Sequence, residues 1–343
     1  MKLGILGGGQ LGMMMCQAAK NIDISTVVYS DSSDSPAINF SEKHFIDKYD
    51  NFLQIDDFIK NCDVITFEFE NIPFETLNYI NSKIDVFPSP KINNIIQDRL
   101  SEKNFINNLN IPTVPFIKVD HQDDLKNLSK DFFPAILKTR RLGYDGKGQQ
   151  VFQNKFDIPK LNSDEYILEK KINLKQEISV VTVRYQNGTM YSYIPIDNTH
   201  KNQILDKSIS PAIVNKIIKE KSLEWSKEII SNLSYVGVIC IEYFINEKDE
   251  LFVNEIAPRV HNSGHLTIES YSISQFESHV RAVCNIEPIE PKMIYAAEMQ
   301  NILGEDISKY REKEIHVNSY FHDYFKKEAK SGRKMGHITK IIT

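Results

Sequence analysis

Leu251-Phe-Val-Asn-Glu-Ile-Ala-Pro-Arg-Val-His-Asn-Ser-Gly-His265 is the stretch on which the reading of the chain turns. It begins as an apolar strand, residues 251–256, interrupted by Asn254 and Glu255. A carboxylate at a strand position is costly to bury unless a cation sits beside it. Just upstream, Val236-Gly-Val-Ile-Cys-Ile-Glu-Tyr-Phe244 repeats the pattern with one acid, Glu242. The polar segment Asn246-Glu-Lys-Asp-Glu250 between them reads as a hairpin turn. Folded so, Glu242 and Glu255 lie on neighbouring strands. With the Asn254 amide they make a hard-oxygen site suited to Mg²⁺, which leaves room for phosphates. Two acids on solvent-facing positions are the simpler account of such a pair taken alone. Arg259, His261, Asn262 and His265 then crowd a segment that reads as neither helix nor strand, where an anion can sit beside the metal.

The 343 residues exceed one ordinary core, so two or three domains are expected. With 41% hydrophobic and 25% charged residues and a net charge of −5, the composition is that of a globular protein, and no basic stripe suggests nucleic acid. Cys16, Cys62, Cys240 and Cys284 are scattered without C-x-x-C spacing, which reads as reduced thiols, not a zinc or disulfide framework. No run approaches the roughly 18 apolar residues of a membrane span. Gly7-Gly-Gly9 cuts the N-terminal apolar run too short for a signal peptide. The expectation is a cytoplasmic protein.

Strand and helix patterns alternate over the first 90 residues or so, with strands at 2–6, 26–29, 63–67 and 84–87, so a parallel sheet with helices on its faces is expected. Gly7, Gly9 and Gly12 satisfy G-x-G-x-x-G, and Asp31 follows at the spacing of a ribose-binding acid. That supports an NAD-dependent dehydrogenase as an alternative. A helix N-terminus favours any anion, however, and a substrate phosphate fits as well. Gln10 inside the turn suggests direct ligand contact. In Phe67-Glu-Phe-Glu-Asn-Ile-Pro73 the acids stand at the carboxyl end of a strand, where open α/β sheets bind ligands; Glu68 reads as structural, and Glu70 and Asn71 as ligand contacts.

Pro88-Ser-Pro90 marks a boundary, followed by a helical pattern over 92–109 that carries Asp98-Arg99. In Phe133-Pro-Ala-Ile-Leu-Lys-Thr-Arg-Arg-Leu-Gly-Tyr-Asp-Gly-Lys-Gly-Gln149, a strand delivers Lys138 and a loop with three glycines follows. A glycine flap with cations suits a triphosphate, although this is not a Walker loop. Residues 166–172 lead from a strand into a linker that can receive an adenine, residues 196–200 read as a loop, and 211–233 and 272–283 as helices. His279 is assigned to packing or surface. The tail Tyr324-Phe-Lys-Lys-Glu-Ala-Lys-Ser-Gly-Arg-Lys-Met-Gly-His337 reads as a phosphate-binding turn that enters a strand.

The ordered set Gly-Gly-Gly9-Gln-Leu-Gly12, Phe69-Glu-Asn-Ile72, Gly143-Tyr-Asp-Gly-Lys-Gly-Gln149, Asn254-Glu255 with Pro258-Arg-Val-His-Asn-Ser-Gly-His265, and Gly332-Arg-Lys-Met-Gly-His337 closely resembles the 5-(carboxyamino)imidazole ribonucleotide synthase family of ATP-grasp enzymes, over essentially the whole chain. The resemblance implies an α/β and α+β fold: a Rossmann-like parallel-sheet domain (1–90), a two-lobed ATP-grasp domain (91–287, with a mobile lid at about 112–170) and a small β-rich C-terminal domain (288–343). The implied reaction is ATP- and bicarbonate-dependent carboxylation of 5-aminoimidazole ribonucleotide, through carboxyphosphate, in purine biosynthesis, by a homodimer that binds neither nucleic acid nor membrane.

By the same resemblance ATP and Mg²⁺ are the cofactors. Arg99, Lys138, Gly143, Tyr144, Asp145, Gly146, Lys147, Gly148, Gln149, Glu169, Lys170, Ile172, Glu177, His200, Asn254 and Glu255 would contact ATP, and Glu242 and Glu255 would hold the metal. Gln10, Leu11, Glu70, Asn71, Lys326 and Arg333 would meet the ribonucleotide. Arg259, His261 and Asn262 would surround bicarbonate, with Tyr144 and Asp145 closing over the reacting groups. The family pattern has glycine between the tail tyrosine and lysine, where this chain has Phe325. A formate-dependent ribonucleotide transformylase is the alternative within the same fold class, and a non-catalytic ATP-binding module is a further one.

Overall fold

The computed structural model describes residues 1–143, 147–161, 165–312 and 314–342. The strand Lys2–Leu6 passes through the glycine turn into the helix Gln10–Asn21 and returns as Ser25–Ser30. With Val64–Phe67 and Lys43–Ile46 these form a four-stranded parallel sheet, in which Lys2–Leu6 lies between Ser25–Ser30 and Val64–Phe67. Leu3, Ile5, Leu6, Val27, Val28, Ile65 and Phe67 are all buried, as strands covered on both faces require. Two details differ from the sequence reading. Residues 84–87 contribute one bridge, Ile65 to Val86, instead of a strand. The edge strand Lys43–Ile46 has three exposed residues out of four, so no apolar period marks it.

The hairpin Gly237–Asn246 and Leu251–Ala257 forms one end of a nine-stranded antiparallel sheet. Next come Leu174–Arg184, Ile196–Lys201 and Ile204–Ser210. Ile204–Ser210 pairs with Ala296–Leu303, which continues to Lys334–Ile342 and Ser319–Asp323. The C-terminal strands therefore extend the central sheet. Residues 196–201 form a strand instead of the expected loop; buried Asn198 faces inward and hides the alternation. A smaller antiparallel sheet holds Phe116–Val119, Tyr166–Lys170, Ala135–Thr139 and Gln149–Phe152 over its own apolar cluster.

The helical pattern over 92–109 is two helices, Pro90–Ile96 and Arg99–Asn108. Asp98 divides them, because its carboxylate accepts the Leu100 and Ser101 N–H groups at 3.0 and 3.2 Å as an N-cap. The cap also aims Arg99, the first helical residue, at the hairpin.

One apolar cluster runs from Leu3 and Met14 through Phe276 and Val280 to Val181 and Val238, so the N-terminal sheet and the central sheet share a core. His279 on the helix Gln275–Val283 ties the two sheets by hydrogen bonds. It is fully buried; its Nδ1 accepts the Val238 N–H at 3.0 Å, and its Nε2 lies 2.8 Å from Thr66 Oγ1. Burial pushes its pKa down from 6.5 to about 4. The unfolded chain then takes up a proton on acidification that the folded chain refuses, so stability from this group is complete above pH 6.5 and is lost as the pH falls towards 4. In urea unfolding between about pH 6.5 and about pH 5, His279→Gln should lower the pH slope by up to ~1.4 kcal/mol per pH unit. An unchanged slope would show that His279 is not held neutral.

Candidate active site

The N-terminal sheet, the smaller antiparallel sheet and the central sheet with its C-terminal strands line a cleft of about 1040 Å³. Its catalytic edge follows from the hairpin register. Glu242 stands directly opposite Glu255, and a register shift immediately after Glu242 bends the pair. Each carboxylate has a cationic or imidazole partner: Arg99 Nη1 lies 2.8 Å from Glu255 Oε2, and His261 Nε2 lies 3.0 Å from Glu242 Oε1. Burial works against charge on Glu255, but Arg99 outweighs it and holds the carboxyl well below the usual range. At His261 burial opposes the charged form, whereas Cys240 and Glu242 beside it favour that form and push the pKa up. Each of these contacts engages one oxygen of its carboxylate and leaves the other for a cation. Asn254 Oδ1 beside them is buried with no partner among the described residues, as an acceptor awaiting a hard cation would be. Among the described residues no cluster of three His, Cys, Asp or Glu converges. Two carboxylate oxygens and the Asn254 amide oxygen fit an ion that takes few protein ligands and completes its shell with phosphate oxygens.

Beneath the cleft lies a buried triad. Glu169 receives Lys138 at 2.8 Å and Lys103 at 3.2 Å, and the three side chains are at most 8% exposed. Burial would raise Glu169, yet Lys103 and Lys138 outweigh it and bring it to about 2; burial lowers Lys138 despite Glu169. Lys103, on the helix Arg99–Asn108, also donates to the Asn254 carbonyl at 3.2 Å, which links Glu169 of the smaller sheet to the hairpin. The sequence reading missed Lys103, although it sits one helical turn after Arg99 and so shares its face. On the opposite wall His200 Nδ1 is 2.7 Å from Glu177 Oε2. Burial opposes charge on His200, and the Glu177 carboxylate outweighs it, so its pKa is raised.

Arg259 grips Glu70 through Nε at 2.5 Å and Nη2 at 3.3 Å, and this pair joins the N-terminal sheet to the loop after the hairpin. Asn93 and Gln97 fix the Glu70 segment by donating to its carbonyl at 2.9 and 2.6 Å. Asn262 exchanges amide bonds with Asn301 at 3.1 and 2.6 Å, so a C-terminal strand holds it.

The glycine turn has a different occupant from the one its motif suggests. Glu68 accepts the Gly9 N–H and, at 2.7 Å, the Gly12 N–H. Gly7 has φ +101°, and a Cβ there or on Gly9 would collide with the Glu68 side chain. The chain's own carboxylate thus takes the helix N-terminus that a dinucleotide pyrophosphate would need, which removes the structural basis of the dehydrogenase alternative. Gln10, the first helical residue, remains at the cleft.

In the tail, Phe325 adopts φ +52°, a conformation that favours glycine. Its ring packs 5.7 Å from Phe40, and the turn still brings Lys326 to the cleft, where its Nζ donates to the Lys334 carbonyl at 2.7 Å. Arg333 also lines the cleft. The cleft brings together the expected Gln10, Glu70, Asn71, Arg99, Lys138, Gly143, Lys147, Gln149, Glu177, His200, Glu242, Asn254, Glu255, Arg259, His261, Asn262, Lys326 and Arg333. Five expected contacts do not line it. Leu11 is in the core, Glu169 is the buried counter-ion of Lys138, and Gly148, Lys170 and Ile172 lie off its walls. Tyr144, Asp145 and Gly146 lie outside the described residues. Phe69, Ile136, Leu205 and Phe244 line the cleft without having been read from sequence as contacts, and Lys330 and Lys334 line it from the tail turn read as phosphate-binding.

Removing Glu169 strands two buried lysines. Glu169→Ala should cost about 3–5 kcal/mol in urea unfolding. A loss below about 1 kcal/mol would mean that the lysines find other partners.

Comparison with known proteins agrees with this architecture segment by segment. A ribonucleotide synthetase preATP-grasp domain model matches residues 1–97, an ATP-grasp domain model residues 104–276, and a phosphoribosylaminoimidazole carboxylase C-terminal domain model residues 297–343. The chain is 38% identical to the N5-carboxyaminoimidazole ribonucleotide synthase of Staphylococcus aureus (strain MRSA252), over 99% of this chain and 92% of the relative. It is also 38% identical to a bifunctional purine synthesis protein of Dictyostelium discoideum, of which it spans 37%. Among solved structures, the N5-carboxyaminoimidazole synthetase of Staphylococcus aureus complexed with ADP superposes with a TM-score of 0.92 at 35% identity, covering 100% of this chain and 93% of that one. The synthase of Aspergillus clavatus in complex with ADP and 5-aminoimidazole ribonucleotide gives 0.92 at 28% identity, covering 99% and 93%. Three domain models in order and full-length identity of this size establish that the chain belongs to the N5-carboxyaminoimidazole ribonucleotide synthase family of ATP-grasp ligases.

Proposed function

We propose that this cleft couples ATP cleavage to carboxylation of the exocyclic amine of 5-aminoimidazole ribonucleotide, with bicarbonate as the carbon source. The enzyme is an ATP-dependent carbon–nitrogen ligase of purine biosynthesis, as its family membership requires. The observation that carries the residue roles is the facing pair Glu242 and Glu255 with Arg259, His261 and Asn262 beside it.

ATP lies between the lid and the central sheet. Ile136, Leu205 and Phe244 supply apolar walls suited to a purine, and Glu177 and His200 supply polar contacts on the same side. Lys138, Lys147 and Gln149 reach the phosphates with the glycine flap, to which Tyr144, Asp145 and Gly146 belong. Glu242 and Glu255, with Asn254, would hold Mg²⁺, which would supply positive charge to offset that of the transferring phosphoryl group. Arg259 and His261 orient bicarbonate, whose oxygen bonds to the γ-phosphorus as ADP leaves. The resulting carboxyphosphate presents its carbon to the amine; the C–N bond forms, phosphate departs and the nitrogen loses a proton. Glu70, Asn71 and Gln10 position the imidazole, and Lys326 and Arg333 hold the ribonucleotide phosphate. Closure of the lid keeps water from carboxyphosphate.

The unpaired cysteines suit a reducing cytoplasm, and a homodimer is the expected assembly. Among the described residues no helix is long and apolar enough to cross a membrane.

Phosphate release from Mg-ATP and bicarbonate should rise strongly when 5-aminoimidazole ribonucleotide is added, with a labile carboxylated product. Stimulation by formate in place of bicarbonate would overturn the reading. Glu255→Ala should abolish this turnover. Arg333→Ala and Lys326→Ala should raise the KM for the ribonucleotide about 10-fold or more with kcat largely kept, since a charge-assisted contact to phosphate is worth roughly 1.5–3 kcal/mol. An unchanged KM would remove the residue from the phosphate site.

A further inference from the structure

A line of buried hydroxyls and one amide crosses three adjacent strands of the central sheet and ends on His261. Ser208 donates to Asn198 Oδ1 at 2.8 Å, and Asn198 Nδ2 donates to Ser179 Oγ at 2.9 Å. Ser179 Oγ lies 2.8 Å from Ser263 Oγ, which lies 2.9 Å from His261 Nδ1. The three serines are completely buried and Asn198 is 7% exposed, so water does not complete their hydrogen bonding. Polarity along the line follows from counting protons, because each hydroxyl has one to give. Ser179 receives the Asn198 amide, and Ser263 Oγ is the acceptor beside it among the described residues, so its proton goes to Ser263. Ser263 gives its own to His261 Nδ1, where its backbone N–H also points, at 3.3 Å. With Nδ1 occupied as an acceptor, the ring hydrogen sits on Nε2, 3.0 Å from Glu242 Oε1. An imidazolium would keep the same Nε2–H on Glu242, with Nδ1–H turned to Ser263 Oγ and the direction of the line reversed. The arrangement excludes only the neutral Nδ1–H form, which would turn a lone pair towards the carboxylate.

We propose that Ser208, Asn198 and Ser179 are positioning residues of the reaction: through Ser263 they hold His261 so that its Nε2–H binds Glu242 Oε1 and leaves Glu242 Oε2 for the cation. Glu242 is thereby oriented from within the sheet, the usual way an outer partner fixes a metal-binding carboxylate. None of the three touches substrate. Three polar side chains carried inside a β-sheet would be replaceable by apolar ones if they only filled space. The proposal rests on the reading of Glu242 as a cation ligand.

The test uses the full chain labelled with ¹⁵N-histidine and free of metal, with His261 assigned by loss of its signals in His261→Gln. At a pH where the ring is neutral, long-range ¹H–¹⁵N correlation should show hydrogen on Nε2 alone in the unsubstituted protein. Ser179→Ala and Asn198→Ala should move it partly to Nδ1 and weaken Mn²⁺ binding in the presence of ADP, read by electron paramagnetic resonance, by about 10- to 100-fold. The KM for 5-aminoimidazole ribonucleotide should stay unchanged, which a general loss of structure would not allow. Ser179→Thr keeps the hydroxyl and should restore both signals. Should Ser179→Ala fail to fold, Ser208→Ala, which removes only the far donor, should shift both readouts in the same direction by less. Hydrogen remaining on Nε2, with unaltered Mn²⁺ binding in the alanine variants, would overturn the proposal. Undiminished Mn²⁺ binding in Glu242→Ala would overturn the cation reading instead, because the tautomer measurement needs no metal.

Discussion

Two carboxylates placed opposite each other across one hairpin are the constraint around which this protein is built. Antiparallel register sets Glu242 against Glu255. Like charges at that separation, partly removed from water, repel unless each is answered separately. Arg99 answers one from a capped helix N-terminus, and His261 answers the other from the loop after the hairpin. The same logic recurs below, where one carboxylate, Glu169, reconciles two buried lysines. Charges are thus balanced locally, with each pair joining two different pieces of the chain.

This balancing also explains how separate sheets act as one site. The pair Arg259–Glu70 joins the N-terminal sheet to the hairpin loop, Asn262–Asn301 joins that loop to the C-terminal strands, and Lys103 joins the smaller antiparallel sheet to the hairpin strand. A shared apolar core holds the scaffold, while the polar contacts set where the charged side chains of the cleft sit. The C-terminal strands carry the tail to the cleft because they extend the central sheet, and backbone hydrogen bonds make that placement rigid.

The glycine turn shows how a local motif can be reassigned by its surroundings. A helix N-terminus offers N–H groups to any anion, and here the anion is Glu68 from the neighbouring strand. The turn keeps the glycines that a phosphate would require, since a carboxylate approaching the backbone needs the same space. Phe325 illustrates the reverse: a side chain unsuited to its backbone conformation is retained in a turn whose path the flanking contacts determine.

Much of the fold was legible because it follows from short-range pattern. Apolar runs, glycine turns and the acid-bearing hairpin mark their own structure over a few residues, and the ordered motifs located most of the cleft. Edge strand Lys43–Ile46 and strand Ile196–Lys201 were not legible, since one is exposed and the other carries a buried amide in place of an apolar residue. Nor were Lys103, Asn301, Ser179 or Ser208, ordinary polar residues whose partners lie on other elements of the fold. By itself the sequence determined which residues were available for nucleotide, cation and anion, because residue type and local spacing specify that chemistry. Only the tertiary structure decided which of them are paired, which are buried as counter-ions and which anion occupies the glycine turn. Those outcomes depend on distances between segments that chain order does not set.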